Sequence, residues 1–245
     1  MRHNQTYTIR GHEIDADYRL TAEGLVALFL NTFARLCAEH NLTAYELQPQ
    51  QRSWVLTNLQ MNLAAPTRPF WNSQVHFALT VAYCRGLRTD ISFTARDENQ
   101  LLASGASRWT IIDTVRRRPV IYPDLAQRFA WQAQDDSRPI GFATLSDLTQ
   151  SAGAERFIVA PHDLDFNQHL ATTRYLQWTL GIARKNLPID HSLRSLQAKF
   201  MHEVKLGQEV EIKSVWRKNE CRQRLLLLPE RKPAMELQTQ WRRRD

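Results

Sequence analysis

The sequence predicts an α+β fold in which a long helix is wrapped by an antiparallel sheet, with that unit used twice. Three observations carry this. Apolar residues recur at helical spacing between Leu25 and Cys37, strand-like runs separated by polar turns follow, and the same order then starts again in the second half.

The elements fall in order. Residues 5–15, "QTYTIRGHEID", read as a leading strand. In "TAEGLVALFLNTFARLCAEHNL", Leu25, Leu28, Phe29, Phe33, Leu36 and Cys37 recur at i, i+3 and i+4 spacing. Val26 and Leu30 add apolar character off that face, so the helix should be buried on more than one side. Thr21 with Gly24 marks its start. Four strands follow: "SWVLTNLQMNL" (53–63), "SQVHFALTVAY" (73–83), "LRTDISFTARD" (87–97) and "LLASGASRWTIID" (101–113). "CRG" and "DENQ" separate the last three, as in a meander. Past residue 118 three prolines and no sheet period indicate a connector with one short helix. The second half then repeats the order. "ERFIVAP" (155–161) is a strand, "NQHLATTRYLQWTLGIARKNL" a helix with Leu176, Leu180, Ala183 and Leu187 on one stripe, and four strands follow from "SLRSLQAKFMHEV" to "PAMELQTQW". A long helix beside a meander cannot leave its apolar sides wet, so each sheet should wrap its helix. The expected organisation is residues 1–120, a connector over 121–154, and residues 155–245.

Composition narrows the function classes. Of 245 residues, 43% are hydrophobic and 23% charged, with only eight Gly and ten Pro, as expected of a globular protein rather than a disordered or collagen-like one. The longest apolar run, Leu25–Leu30, falls far short of the roughly 18 residues of a membrane span. The polar N-terminus lacks a secretory apolar region, and the expectation is a cytoplasmic protein. Cys37, Cys84 and Cys221 lack metal-site spacing and read as buried filler. The net charge of +7 includes "RRRP" (116–119) and "RRRD" (242–245). No aromatics interleave with these clusters and no base-reading motif is present, which argues against nucleic acid. An acidic macromolecular partner fits.

"PHDLDFNQHLATTRY" (161–175) is the stretch that carries chemistry. It starts like a calcium loop, but that loop needs Gly where Gln168 stands and a bidentate Glu where Arg174 stands. A zinc site from His162, His169 and a carboxylate has no supporting motif. A helix cap by Asp163 or Asp165 explains one Asp, and Asn167 with it, for a helix starting near Asn167. It leaves His169 unexplained, because a His cation in the first turn opposes the helix dipole. Laying "DAD" (15–17) on "DLD" (163–165) puts Asp165, Asn167 and His169 over Asp17, Arg19 and Thr21. Asp then occurs in both halves while Asn and His occur in one, so only the second half should hold a complete site.

Asp165-x-Asn167-x-His169 after a strand resembles the active-site signature of the acyl-acyl-carrier-protein thioesterases, the plant Fat-type and related bacterial enzymes built as two fused hot-dog domains. The family also carries a Glu at the distance where "KFMHEVKLG" places Glu203. "WVLTNLQM", "GLRTDI" and "ASRWTIIDTVRRRP", with Trp109, Asp113 and the pair Arg117–Arg118, resemble its first-half strands. The resemblance implies a tandem double hot-dog and hydrolysis of fatty acyl-carrier-protein thioesters, with Asp165, Asn167, His169 and Glu203 as catalytic residues and no cofactor. Many plant members have Cys after the Glu; Val204 here points to attack by water.

On this reading Glu203 is the base and the helix N-terminus at Asn167–His169 holds the oxyanion. Asn167 and His169 supply donors or place the water. Asp165 orients one of them or shares the base role. The acyl chain would lie along the first-half helix, where Leu25, Phe29 and Phe33 also suit plain core. The acidic carrier would dock on Arg116, Arg117 and Arg118. An acyl-CoA thioesterase and a non-catalytic acyl binder are the rivals, and a Glu joined to a His speaks against the binder. Assembly into a homodimer stays open.

Overall fold

The computed structural model describes residues 2–64, 68–98, 100–133, 138–142, 154–188 and 190–243. It divides into two units, Met1–Phe142 and Ala143–Asp245. In the first, β1 (Arg2–Thr8) leads to α1 (Ala22–Glu39), the single turn α2 (Ala44–Leu47), and strands β2 (Arg52–Leu63), β3 (Gln74–Arg85), β4 (Arg88–Arg96) and β5 (Leu101–Asp113). A two-residue β6 (Arg118–Pro119) and the turn α3 (Leu125–Arg128) follow. In the second unit, β7 (Ala154–Ile158), α4 (Thr172–Lys185), β8 (His191–Phe200), β9 (Glu209–Arg217), β10 (Glu220–Leu227) and β11 (Lys232–Arg243) repeat the succession. Both sheets have one topology: β1-β3-β4-β5-β2 in the first and β7-β9-β10-β11-β8 in the second, with every described pairing antiparallel.

Each sheet closes on its own helix. From α1, Phe29 meets Phe93 of β4 at 4.4 Å between ring centres, and Phe33 stacks on Trp109 of β5 at 3.9 Å. Burying each such ring contributes roughly 1.5–3 kcal/mol. Gly105 on β5 makes room for this, since a Cβ there would lie 2.2 Å from the Gln60 carbonyl oxygen and 2.4 Å from the Phe93 ring. Thr21 caps α1, its hydroxyl accepting from the Gly24 amide at 2.9 Å. From α4, Trp178 stacks on Phe157 of β7 at 4.8 Å and the Thr179 carbonyl accepts from Gln223 of β10. The two last strands share a further device, the indole of Trp109 donating to Ser107 and that of Trp241 to Thr239.

Of the connector expected over 121–154, residues 134–137 and 143–153 lie outside the described residues. Residues 138–142 are held on the first sheet. There the fully buried Asp90 takes two hydrogen bonds from Arg108 at 2.8 Å and one from the Ile140 amide at 2.7 Å. Arg108 in turn donates to the Ile140 carbonyl and lies over the Phe142 ring. Among the described residues, no helix is long and apolar enough to cross a membrane. Of the basic run at 242–245, Arg244 and Asp245 lie outside the described residues.

Candidate active site

β7 ends at Ile158, short of the strand expected through Pro161, and the site-bearing stretch opens with a turn. Pro161–Asp163 form a 3-10 turn in which the buried Asp163 carboxylate accepts from the Ala160 amide at 2.9 Å. Leu164 and Leu170 then pair across a short bridge, closing the segment between them into a tight turn. Asp165 organises that turn. Its Oδ1 accepts from the amides of Asn167 at 2.8 Å and His169 at 3.3 Å, while its own amide donates to the His169 carbonyl. Gln168 takes a left-handed backbone, φ 62°.

This corrects the expected helix start. α4 begins at Thr172, not near Asn167, because Asp165 competes for the local amides and a left-handed residue cannot join the helix. The amides of Asn167 and His169 are taken by Asp165, so they are not the helix-terminal donors the sequence suggested. The N-cap is Ala171, which has no capping side chain.

The register between the halves is corrected too. The 3-10 turn Gly11–Glu13, the bridge Ile14–Leu20 and the left-handed Tyr18 match Pro161–Asp163, Leu164–Leu170 and Gln168. Asp165, Asn167 and His169 therefore stand over Asp15, Asp17 and Arg19, two positions from the tripeptide match. Asp15 makes the same bonds, its Oδ1 accepting from the amides of Asp17 and Arg19 at 3.0 Å each. Asp165 thus has a structural twin, whereas Asn167 and His169 do not.

Glu203 arrives from the loop after β8, which ends at Phe200, short of the strand expected through Val204. The loop is pinned on two sides. Met201 and His202 donate to the Ala234 carbonyl, and the Leu170 amide donates to the Val204 carbonyl at 2.7 Å. His169 bridges to Lys205. These bonds bring the Glu203 carboxylate to 2.6 Å from His169 Nε2, both side chains about three-quarters buried. The Glu203 oxygen that faces His169 is sealed from solvent, where low polarity strengthens such a contact. Of the four residues the sequence singled out, the structure joins His169 to Glu203 side chain to side chain. Asp165 engages the backbone of the turn, and Asn167 sits half-buried on it.

Tyr175, which the sequence reading passed over as a helix position, lies under this pair. It is 5% exposed, packs edge-on against Phe200, and its hydroxyl donates to the His202 carbonyl at 3.3 Å. Burial first, and the nearby Asp165 carboxylate with it, push its phenol well above the ordinary value, against a smaller lowering by the Val204 amide. The sequence signal was a tyrosine where the first helix has Leu25. Val204 is buried at the position of the plant cysteine. Cys221 is also buried, and burial pushes its thiol up to about 12. Among the described residues, no three His, Cys, Asp or Glu side chains converge as a metal group.

Residues 146–243 match the acyl-ACP thioesterase C-terminal domain family. A palmitoyl-acyl carrier protein thioesterase, chloroplastic, of Gossypium hirsutum is 23% identical over 82% of this chain and 51% of its own. A chloroplastic acyl-[acyl-carrier-protein] hydrolase of Cuphea viscosissima is 24% identical over 86% of this chain and 54% of its own. The chain thus spans about half the length of these curated relatives. Among solved structures, the acyl-ACP thioesterase of Bacteroides thetaiotaomicron aligns with a TM-score of 0.81 at 16% identity, covering 98% of both chains. The 12:0-ACP thioesterase of Umbellularia californica aligns with a TM-score of 0.82 at 16% identity, over 99% of this chain and 98% of that one. The fold is the double hot-dog, as the sequence predicts.

Proposed function

We propose that the chain, whose residues 146–243 match the acyl-ACP thioesterase C-terminal domain family, hydrolyses fatty acyl thioesters carried on acyl carrier protein to free fatty acid and carrier thiol. The observation that carries this reading is the 2.6 Å contact between His169 and Glu203, set on the turn that Asp165 organises.

Glu203 is the base. Asp165 has its Oδ1 committed to two backbone amides, which leaves the base role to Glu203 and gives Asp165 the task of shaping the turn. Glu203 takes a proton from water as the water attacks the thioester carbonyl. His169 orients the Glu203 carboxylate, and Asn167 offers side-chain donors to the water or the substrate. The oxyanion is met at the true start of α4, Thr172–Thr173, where Ala171 brings no side chain to compete for the helix-terminal amides. Collapse of the tetrahedral intermediate breaks the C–S bond. The proton held by Glu203 goes to the departing thiolate, a good leaving group that needs no strong acid. Val204 in place of Cys agrees with direct attack by water.

The acidic carrier docks on Arg116, Arg117 and Arg118, exposed on the turn after β5. That turn is shaped by Asp113, which accepts from the Val115 and Arg116 amides and pairs with Arg52 at 2.8 Å. The test is thiol release from a panel of acyl-carrier-protein and acyl-CoA thioesters. Faster turnover of the carrier thioesters is expected. Turnover of CoA thioesters alone would overturn the carrier assignment, and release from neither would overturn the enzyme reading.

A further inference from the structure

We propose that Tyr175 is a positioning residue that holds Glu203 against His169 by anchoring the peptide before it, its phenol hydroxyl bonded to the His202 carbonyl. The inference rests on the reading of Glu203 as the base.

The anchor is specific. The Tyr175 hydroxyl donates to the carbonyl of His202, the residue before Glu203, at 3.3 Å. It thus holds the peptide from which Glu203 springs. The phenol stays protonated because burial disfavours its anion, so the bond to His202 persists across the working pH range. The ring itself is held between α4 and β8 by the edge-on contact with Phe200. Other bonds set the course of the loop, from Leu170 to Val204 and from Met201 and His202 to Ala234.

The first unit shows the alternative. Leu25 occupies the position of Tyr175 and brings no polar atom. Arg68 occupies the position of Glu203, since the neighbouring Pro69 carbonyl accepts from Leu20 as the Val204 carbonyl does from Leu170. There the loop is held by Arg68 itself, which pairs with Asp15 at 2.5 Å and donates to the Leu20 carbonyl. A residue tied down by its own side chain needs no such anchor. A base whose carboxylate must face water and His169 cannot use its own side chain that way.

Tyr175→Phe keeps the ring and removes the bond to His202. With a carrier thioester, kcat should fall roughly tenfold to hundredfold, the effect of loosening a group by a fraction of an ångström, with KM and the thermal midpoint little changed. In a Glu203→Gln background, Tyr175→Phe should cost nothing further, since there is no base left to aim. Wild-type kcat in Tyr175→Phe, or an equal loss on top of Glu203→Gln, would overturn the inference while leaving the base assignment intact. Glu203→Gln with wild-type turnover would remove the base assignment and the inference together. Should Tyr175→Phe not fold, Tyr175→Leu takes its place in the same measurements, and failure of both to fold would show a purely structural ring and overturn the proposal.

Discussion

The turn at 15–21 and the turn at 165–171 have one backbone and two sets of contacts. In both, an Asp side chain gathers the amides two and four residues ahead, a left-handed residue follows, and the next helix starts after the bridge. In the first unit the exit residues are Arg19 and Arg68, and they seal the turn. Arg19 donates to the Arg68 carbonyl and lies over Phe70, while Arg68 pairs with Asp15. In the second they are His169 and Glu203, paired with each other. The helix starts differ in the same sense, Thr21 capping α1 and Ala171 leaving α4 without a side-chain cap. On the proposed function, the scaffold makes a turn able to carry a site, and three substitutions decide whether the turn is closed for stability or left open for chemistry.

The comparison breaks if the two Asp residues behave alike in function. Asp165→Ala should lower turnover roughly tenfold to hundredfold, because the turn then no longer fixes His169 within the tolerance chemistry demands. Asp15→Ala should leave turnover unchanged and cost about 1 kcal/mol of stability, as a lost cap does, a fall in thermal midpoint of about 2–4 °C. Steady-state kinetics beside thermal melts on both variants decide it, and equal turnover losses would contradict the division of labour.

A smaller effect sharpens it. Burial of Asp15 works to raise its pKa, but bonds from the Arg19 amide, the Arg68 guanidinium and the Asp17 amide outweigh burial and hold the carboxyl below its ordinary value. A depressed folded pKa means the unfolded chain binds the extra proton first. The stability from Asp15 is therefore fully present above the unfolded value of about 3.9 and is lost as pH falls through the lower folded value. The stability difference between wild type and Asp15→Asn, read from denaturant midpoints, should shrink as pH drops from about 5 toward about 2. A difference constant over that range would show that Asp15 holds the turn without its charge.

Much of the fold was legible because its signals are periodic. The helical stripe of Leu25, Phe29 and Phe33 locates α1, and the runs at 53–63 and 101–113 sit within a residue of β2 and β5. Where the reading slipped, short-range chemistry had overridden periodicity. Asn167 and His169 look like a first helical turn, yet Asp165 captures their amides and delays α4 to Thr172. "DAD" and "DLD" suggested a register two positions off, because the features that set the true one, the left-handed Tyr18 and Gln168, are neither Gly nor Asn and carry no mark in the sequence. Asp165, Asn167 and His169 could be singled out by type and spacing, and Glu203 through the resemblance to a known family. That His169 and Glu203 touch, and that Tyr175 underlies them, depends on a loop closing over α4, which no local pattern reports.

The most direct measurement is the turnover of a carrier thioester by Glu203→Gln beside wild type, with the thermal midpoint of each. Removing the carboxylate while keeping its shape should lower kcat by about a hundredfold or more, the range of a lost general base, with the fold intact. Turnover within twofold of wild type would contradict the account, for the His169–Glu203 contact would then be one more closed turn, like its counterpart in the first unit.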